Sequence, residues 1–166
     1  MEDMLTINRV TFNFIHISVP HFWGNSDRRY RYLMLENATS ILLFVSCIAY
    51  DEFADDGTKN CLVNSCDRFD GIINSRFFAR KSVILLFTKA DLLEEKIKYS
   101  NIKEYFPEFQ GDPRKLQDVQ DFIIHMFDER RQDKSKALCH YFTAAGNTEN
   151  IRFVFAAVMD TILGRI

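Results

Sequence analysis

The run Ser82-Val83-Ile84-Leu85-Leu86-Phe87 ends abruptly in Thr88-Lys89-Ala90-Asp91, and a charged segment follows. No other feature constrains the fold as much. An unbroken apolar run of this length is a strand covered on both faces, which belongs to a parallel sheet flanked by helices. Parallel neighbours need crossover connections of about a dozen residues or more. Helices must therefore alternate with strands elsewhere in the chain. Polar residues just past the carboxyl end of such a strand stand where open α/β sheets bind ligands.

The remaining sequence supplies that alternation. Residues 5–17 hold two strand-like pieces, and 10–17 alternates apolar and polar as a half-buried or edge strand does. Pro20 and Gly24 make 18–25 a loop, and Ser26 can cap a short basic helix through Leu35. Residues 40–48 form a second continuous apolar strand, followed by an acidic loop at 51–58. Residues 59–77 read as a helix with Leu62, Cys66, Phe69, Ile72 and Ile73 on one face. A short helix is expected at 92–97, then a long irregular connection at 99–113. An amphipathic helix at 114–131 has Leu116, Val119, Ile123, Met126 and Phe127 in register. A short strand at 137–142 precedes the last helix, 147–163, with Asn147 as its cap and Ile151, Val154, Phe155, Val158 and Ile162 facing inward. The expected class is α/β, a mostly parallel sheet with right-handed crossovers and helices on both faces. No repeat or boundary divides it, so residues 1–166 are expected to form a single domain.

Composition excludes several classes. The chain is 47% hydrophobic with 16 Phe, which favours a well-filled core over disorder. A formal net charge of -2 gives no electrostatic case for nucleic acid or an anionic membrane. Arg28-Arg29-Tyr30-Arg31 accordingly reads as a solvated basic face, and Asp55-Asp56 as an acidic surface loop rather than a metal site. Cys47 and Cys139 fall in apolar runs and Cys61 and Cys66 on a helix, with no C-x-x-C. Reduced thiols of a cytoplasmic protein are the expectation, not a disulfide framework or zinc site. No run approaches the roughly 18 apolar residues of a membrane span. Met1-Glu2-Asp3-Met4 is neither a signal peptide nor an N-myristoylation motif. No integral membrane segment is expected.

Thr88-Lys89-Ala90-Asp91 carries recognisable chemistry. A carboxylate placed there can accept from the ring N–H and exocyclic amine of a guanine while the Lys stem lies along the base plane. Asp91 also fits a plainer role, capping the next helix with Glu94 completing a capping box. The first role gains support from Thr143-Ala144-Ala145-Gly146, between the last strand and last helix. The pair resembles the two guanine-reading loops of a small GTPase. The flanks Asp91-Leu92-Leu93-Glu94-Glu95-Lys96-Ile97, Tyr105-Phe106-Pro107-Glu108-Phe109 and Asn147-Thr148-Glu149-Asn150-Ile151-Arg152-Phe153-Val154-Phe155 closely resemble the α subunit of heterotrimeric G proteins. Phe109-Gln110-Gly111-Asp112-Pro113, with Leu116-Gln117-Asp118-Val119-Gln120, is most similar to the α class acting on Rho exchange factors. The resemblance implies a partial Ras-like GTPase fold and GTP or GDP as ligand. It implies guanine contacts from Thr88, Lys89, Asp91 and the backbone N–H of Ala145. Thr88 stands where most α subunits have Asn, a variant similar to that of Rho-type GTPases. Implied partners are a βγ dimer, a receptor and Rho exchange-factor-type effectors, at the inner face of the plasma membrane.

The departures are equally specific. The phosphate-binding loop G-x-x-x-x-G-K-[ST] occurs nowhere in the sequence. The expectation is that the chain starts after it, after the family's helical domain and first switch, and stops before the receptor tail. Cys47 is the first cysteine, so no amino-terminal lipidation site is expected. His16 replaces the metal-side Asp, and imidazole is a poor partner for Mg²⁺. An apparent insertion at 18–25 follows, and Asn25 is the only amide near the family's water-orienting Gln. No Mg²⁺ site, no catalytic residue and no hydrolysis by this chain alone are therefore expected. The strand preceding the family's phosphate loop lies near the middle of the sheet, so its two neighbours must close up or leave an edge open. The alternatives are a catalytically dead interaction module, serving as decoy or scaffold for an effector or βγ, and a non-functional gene fragment.

Overall fold

The computed structural model describes residues 2–7, 10–15 and 36–164. The expected loop at 18–25, the basic helix at 26–35, and His16, Trp23 and Asn25 lie outside the described residues. The chain divides into two compact units, Met1–Ala38 and Thr39–Ile166.

In the first unit, β1 (Glu2–Ile7) pairs antiparallel with β2 (Val10–Ile15), from Glu2↔Ile15 to Ile7↔Val10. The first strand thus starts three residues before the expected position 5. Pairing with Phe14 and Ile15 satisfies the backbone of Asp3 and Glu2, which overrides the low strand preference of the acidic residues.

The second unit holds a three-stranded parallel sheet in the order β3 (Ser40–Ser46), β4 (Ser82–Thr88), β5 (His140–Phe142). Four helices follow the strands: α1 (Cys61–Ile73), α2 (Ala90–Lys96), α3 (Leu116–Asp128) and α4 (Thr148–Ile162). Asn60 starts α1, its side chain accepting from Leu62 N and Val63 N, so the helix is shorter than the expected 59–77. At the other end Asn74 closes it, and a separate 3-10 turn, Arg76–Phe78, takes up what remained of the periodic pattern.

β4 is the centre of this unit, with Val83 through Phe87 all buried. Alternate residues of a strand face opposite sides. Ile84 and Leu86 pack on Val154 and Val158 of α4. Phe87 points the other way, its ring edge-on to Phe127 of α3 at 5.3 Å, and Phe127 in turn meets Phe69 of α1 at 5.6 Å. Helices therefore cover both faces of β4, as the apolar run requires.

Some expected core positions are not buried. Ile151 and Phe155 of α4 are exposed, because the helix seats Val154, Val158 and Met159 instead. Ile73 is only half-buried. β3 departs further: Phe44 is 66% exposed although its strand is uniformly apolar. Leu42, on the same side, still packs against the α4 cluster, but that cluster does not extend to Phe44. Among the described residues β3 has a single strand neighbour, β4.

Candidate functional site

The parallel register aligns the carboxyl ends of β4 and β5, with Phe87 opposite Phe142. The loops leaving those ends are tied together by backbone bonds. Thr143 N donates to Phe87 O at 2.7 Å, and Ala90 N donates to Thr143 O at 3.0 Å. The two sequence motifs thus become neighbours because their strands are neighbours.

Lys89 turns the chain from β4 into α2 in a left-handed conformation, φ 64°, ψ 35°. It is the only non-glycine with positive φ among the described residues. Such a conformation costs an L-residue on the order of 1–2 kcal/mol, so its surroundings must hold it. Thr88 O, just before the turn, accepts from Cys47 N at 3.1 Å and from Cys47 Sγ at 2.9 Å. Burial pushes the Cys47 thiol up to about 12, so at neutral pH it is the protonated donor this bond needs. The Lys89 side chain is exposed.

The N-cap position of α2 falls on Lys89, with no side-chain cap. Asp91 lies inside the first turn, where a negative charge suits the helix dipole. The capping box with Glu94 does not form. The Asp91 side chain is exposed and makes no hydrogen bond or ion pair with another described residue. A Cβ built on Gly146 would lie 3.3 Å from Asp91 Oδ2, so the second loop runs close against this carboxylate.

Two asparagines hold that second loop. Asn147 caps α4, accepting from Asn150 N at 3.0 Å as the sequence suggests, and its own N–H donates to Ala144 O. Asn150 accepts from Ala144 N at 2.9 Å and donates to Phe142 O at 3.2 Å. Sequence reasoning missed Asn150; an amide three residues after a cap, where a capping box has Glu or Gln, was its signal. Ala145, between these clips, is exposed, and its N–H donates to no described residue.

Thr88 is placed differently from the other three. Its hydroxyl donates to Val45 O of β3 at 3.3 Å, so it staples the two strands. The two loops therefore bring an exposed Asp91 carboxylate close to Gly146, with exposed Lys89 and Ala145 on the same pair of loops. Among the described residues no three His, Cys, Asp or Glu side chains converge as they would around a metal ion. No helix among them is long and apolar enough to cross a membrane.

Comparison with known proteins identifies the family. A family model described as G-protein alpha subunit matches residues 4–162. Human guanine nucleotide-binding protein subunit alpha-12 is 41% identical over 165 residues, covering 98% of this chain and 42% of that protein. Human guanine nucleotide-binding protein subunit alpha-13 is 46% identical over 140 residues, covering 83% of this chain and 37% of that protein. The chain thus spans about two-fifths of the length of these relatives.

Proposed function

The chain belongs to the G-protein α-subunit family, and on that premise we propose that it reads the base of GTP or GDP as an α-subunit-like element of G-protein signalling. Asp91 accepts from the guanine ring N–H and amine, the Lys89 stem lies along the base, Ala145 N–H donates to the guanine carbonyl, and Thr88 lines the opening from its staple to β3. The observation that carries this reading is the unpaired Asp91 carboxylate set beside the Gly146 loop. Residues 1–166 count, in this proposal, as one partial Ras-like domain. The partners are those the family resemblance implies: a βγ dimer, a receptor and Rho exchange-factor-type effectors, met at the cytoplasmic side of the plasma membrane.

The sequence carries no G-x-x-x-x-G-K-[ST], so in this proposal affinity rests on the base. Each charge-assisted hydrogen bond contributes roughly 1.5–3 kcal/mol. Doing without four of them removes at least about 6 kcal/mol, or more than four orders of magnitude, which leaves binding near millimolar or weaker. On the departures read from the sequence, no hydrolysis by this chain alone is expected. Calorimetry of the purified chain with GDP and Mg²⁺ tests the reading. Weak binding that prefers GDP to ADP, and that weakens at least about tenfold in Asp91→Asn, supports it. Equal binding of GDP and ADP, or an unaffected Asp91→Asn, overturns it. Phosphate release above a buffer blank, persisting through purification, refutes the hydrolysis statement.

The exposure of Phe44 favours a second reading, a partner-binding module without catalysis acting as decoy or scaffold for an effector or βγ. Nucleotide-independent binding of purified βγ, lost in Phe44→Ser, supports that reading over the first.

A further inference from the structure

Among the described residues one charged side chain is buried: Lys96, at the carboxyl end of α2. A buried ammonium is costly unless each of its donors is met. Here Nζ donates to Ile48 O at 2.7 Å and to the Asp51 carboxylate, and it lies 5.1 Å above the centre of the Tyr50 ring. The acceptors themselves are fixed. Ser100 Oγ donates to Asp51 Oδ2 at 2.8 Å, and Tyr50 OH donates to Ser100 O at 3.0 Å. The cluster thus joins the loop after β3, the last residue of α2, and the turn that follows it.

α2 is seven residues long, too short to persist by its own backbone bonds. Its first turn carries Asp91 and its entry is the strained Lys89. Asp91 and Lys96 are five residues apart, or about 7.5 Å along the axis. At the entry the segment is held by Cys47 N on Thr88 O and Ala90 N on Thr143 O. At the exit it is held by buried Leu93 and by Lys96. Remove the exit clamp and the helix can roll about its entry, carrying Asp91 away from the Gly146 loop.

We propose that Lys96, gripped by Asp51 and the Ile48 carbonyl, is a positioning residue that sets where the Lys89–Asp91 segment stands against the second loop. The inference rests on the base-reading role of Asp91 given above, and it adds that selectivity depends on an ion pair outside the base pocket. The chemical consequence is narrow. Inosine differs from guanosine by the missing exocyclic amine, one of the two donors assigned to Asp91. Misplacing Asp91 therefore erodes the preference for GMP over IMP.

The test uses the full chain and the variants Lys96→Met, which keeps the stem and removes the ammonium, and Asp51→Asn, the milder change. Amide exchange is followed at Ala90 and Leu93, with Leu85 and Leu86 of β4 as references, and GMP and IMP are titrated by chemical-shift change. Wild type is expected to prefer GMP by roughly tenfold or more. Lys96→Met is expected to reduce that preference to about threefold or less and to speed exchange at Ala90 and Leu93 by roughly tenfold. Leu85 and Leu86 stay within about twofold, and Asp51→Asn moves the same observables less. Should Lys96→Met not fold, Asp51→Asn carries the measurement. Unchanged exchange at Ala90 and Leu93, or an equal rise at all four amides, overturns the proposal, the latter by showing a general structural role. A wild type indifferent to the choice of GMP or IMP removes the base-reading role, while the exchange pattern still decides whether Lys96 positions the segment.

Discussion

Phe44 and Phe87 sit on paired strands of the same parallel sheet, in runs the sequence makes equally apolar. The structure gives them opposite energetics, and truncating each to Ala measures the difference. A Phe side chain buries roughly 200 Å² when fully enclosed. Phe44 is 66% exposed, so about a third of that, near 70 Å², leaves water. At about 25 cal/mol per Å² this is worth about 1.7 kcal/mol, an upper value because denatured chains already bury some apolar surface. Phe44→Ala is therefore expected to cost about 1–2 kcal/mol, part of it lost strand preference. Phe87 is fully buried, edge-on to Phe127 at 5.3 Å and stacked on Phe142 at 5.0 Å. Phe87→Ala removes a closed core side chain and three ring contacts, with Phe127, Phe142 and His140, and falls at about 3–5 kcal/mol. Urea unfolding followed by far-ultraviolet circular dichroism reads both, since the single Trp23 lies outside the described residues. Equal costs near 4 kcal/mol would show Phe44 covered in solution, and its exposure would be refuted. The wild-type melt is informative too: an open strand edge is expected to give marginal stability, and a sharp cooperative transition of the isolated monomer counts against it.

Three further outcomes follow from local geometry. Gly111→Ala places a Cβ 2.8 Å from the Phe109 ring and 2.9 Å from Asp118 Cβ, so a loss of about 1–3 kcal/mol is expected in the same urea assay, and a neutral result shows that the turn can shift. Asp67 feels burial, which raises its carboxyl, but the hydrogen bond and charge of Lys59 and the charge of Arg130 outweigh it and hold the group below its ordinary range. A depressed folded value means stability that is present above the unfolded value and lost as pH falls through the folded one. Melts taken from about pH 4 down to about pH 2 should lose less stability in Asp67→Asn than in wild type, and parallel losses contradict the ion pair. Burial pushes the Cys47 and Cys66 thiols up to about 12, whereas Cys61 and Cys139 are half-buried. A short iodoacetamide pulse read by peptide mass should label Cys61 and Cys139 first, and equal labelling of Cys47 rejects the packing described at the end of β3.

The elements legible in the sequence are those whose signal is local. The run from Val83 to Phe87 announces a strand enclosed on both sides, and it is one. Asn147 announces a helix start, and its side chain caps α4. The same logic fails where burial depends on what lies across the sheet. Phe44, Ile151 and Phe155 carry an apolar pattern that local rules read as core, yet they are exposed. Hydrophobic pattern states which face a residue shares; it does not state whether a partner covers that face. The site behaves likewise. Thr88, Lys89, Asp91 and Ala145 are visible as two short motifs after apolar strands. Asn150 clips the second motif and has a faint local signal at its cap, whereas Cys47 and Lys96 bond groups more than 40 residues away and have no motif of their own.

That asymmetry bears on what a base-reading half-site requires. Lys89 must adopt a left-handed conformation that costs on the order of 1–2 kcal/mol, and Asp91 must keep its carboxylate unpaired in water. The left-handed Lys89 does not stabilise the fold, so contacts elsewhere must compensate. In this chain they do so at three separate points: Cys47 on Thr88, Asn150 on Ala144, and Lys96 on Asp51 and Ile48. A surface loop kept only for stability would relax Lys89 into the common region and let Asp91 cap its own helix. In the reading proposed above, a strained Lys89 and an unpaired Asp91, flanked by contacts from outside the motif, are what recognition of a base requires.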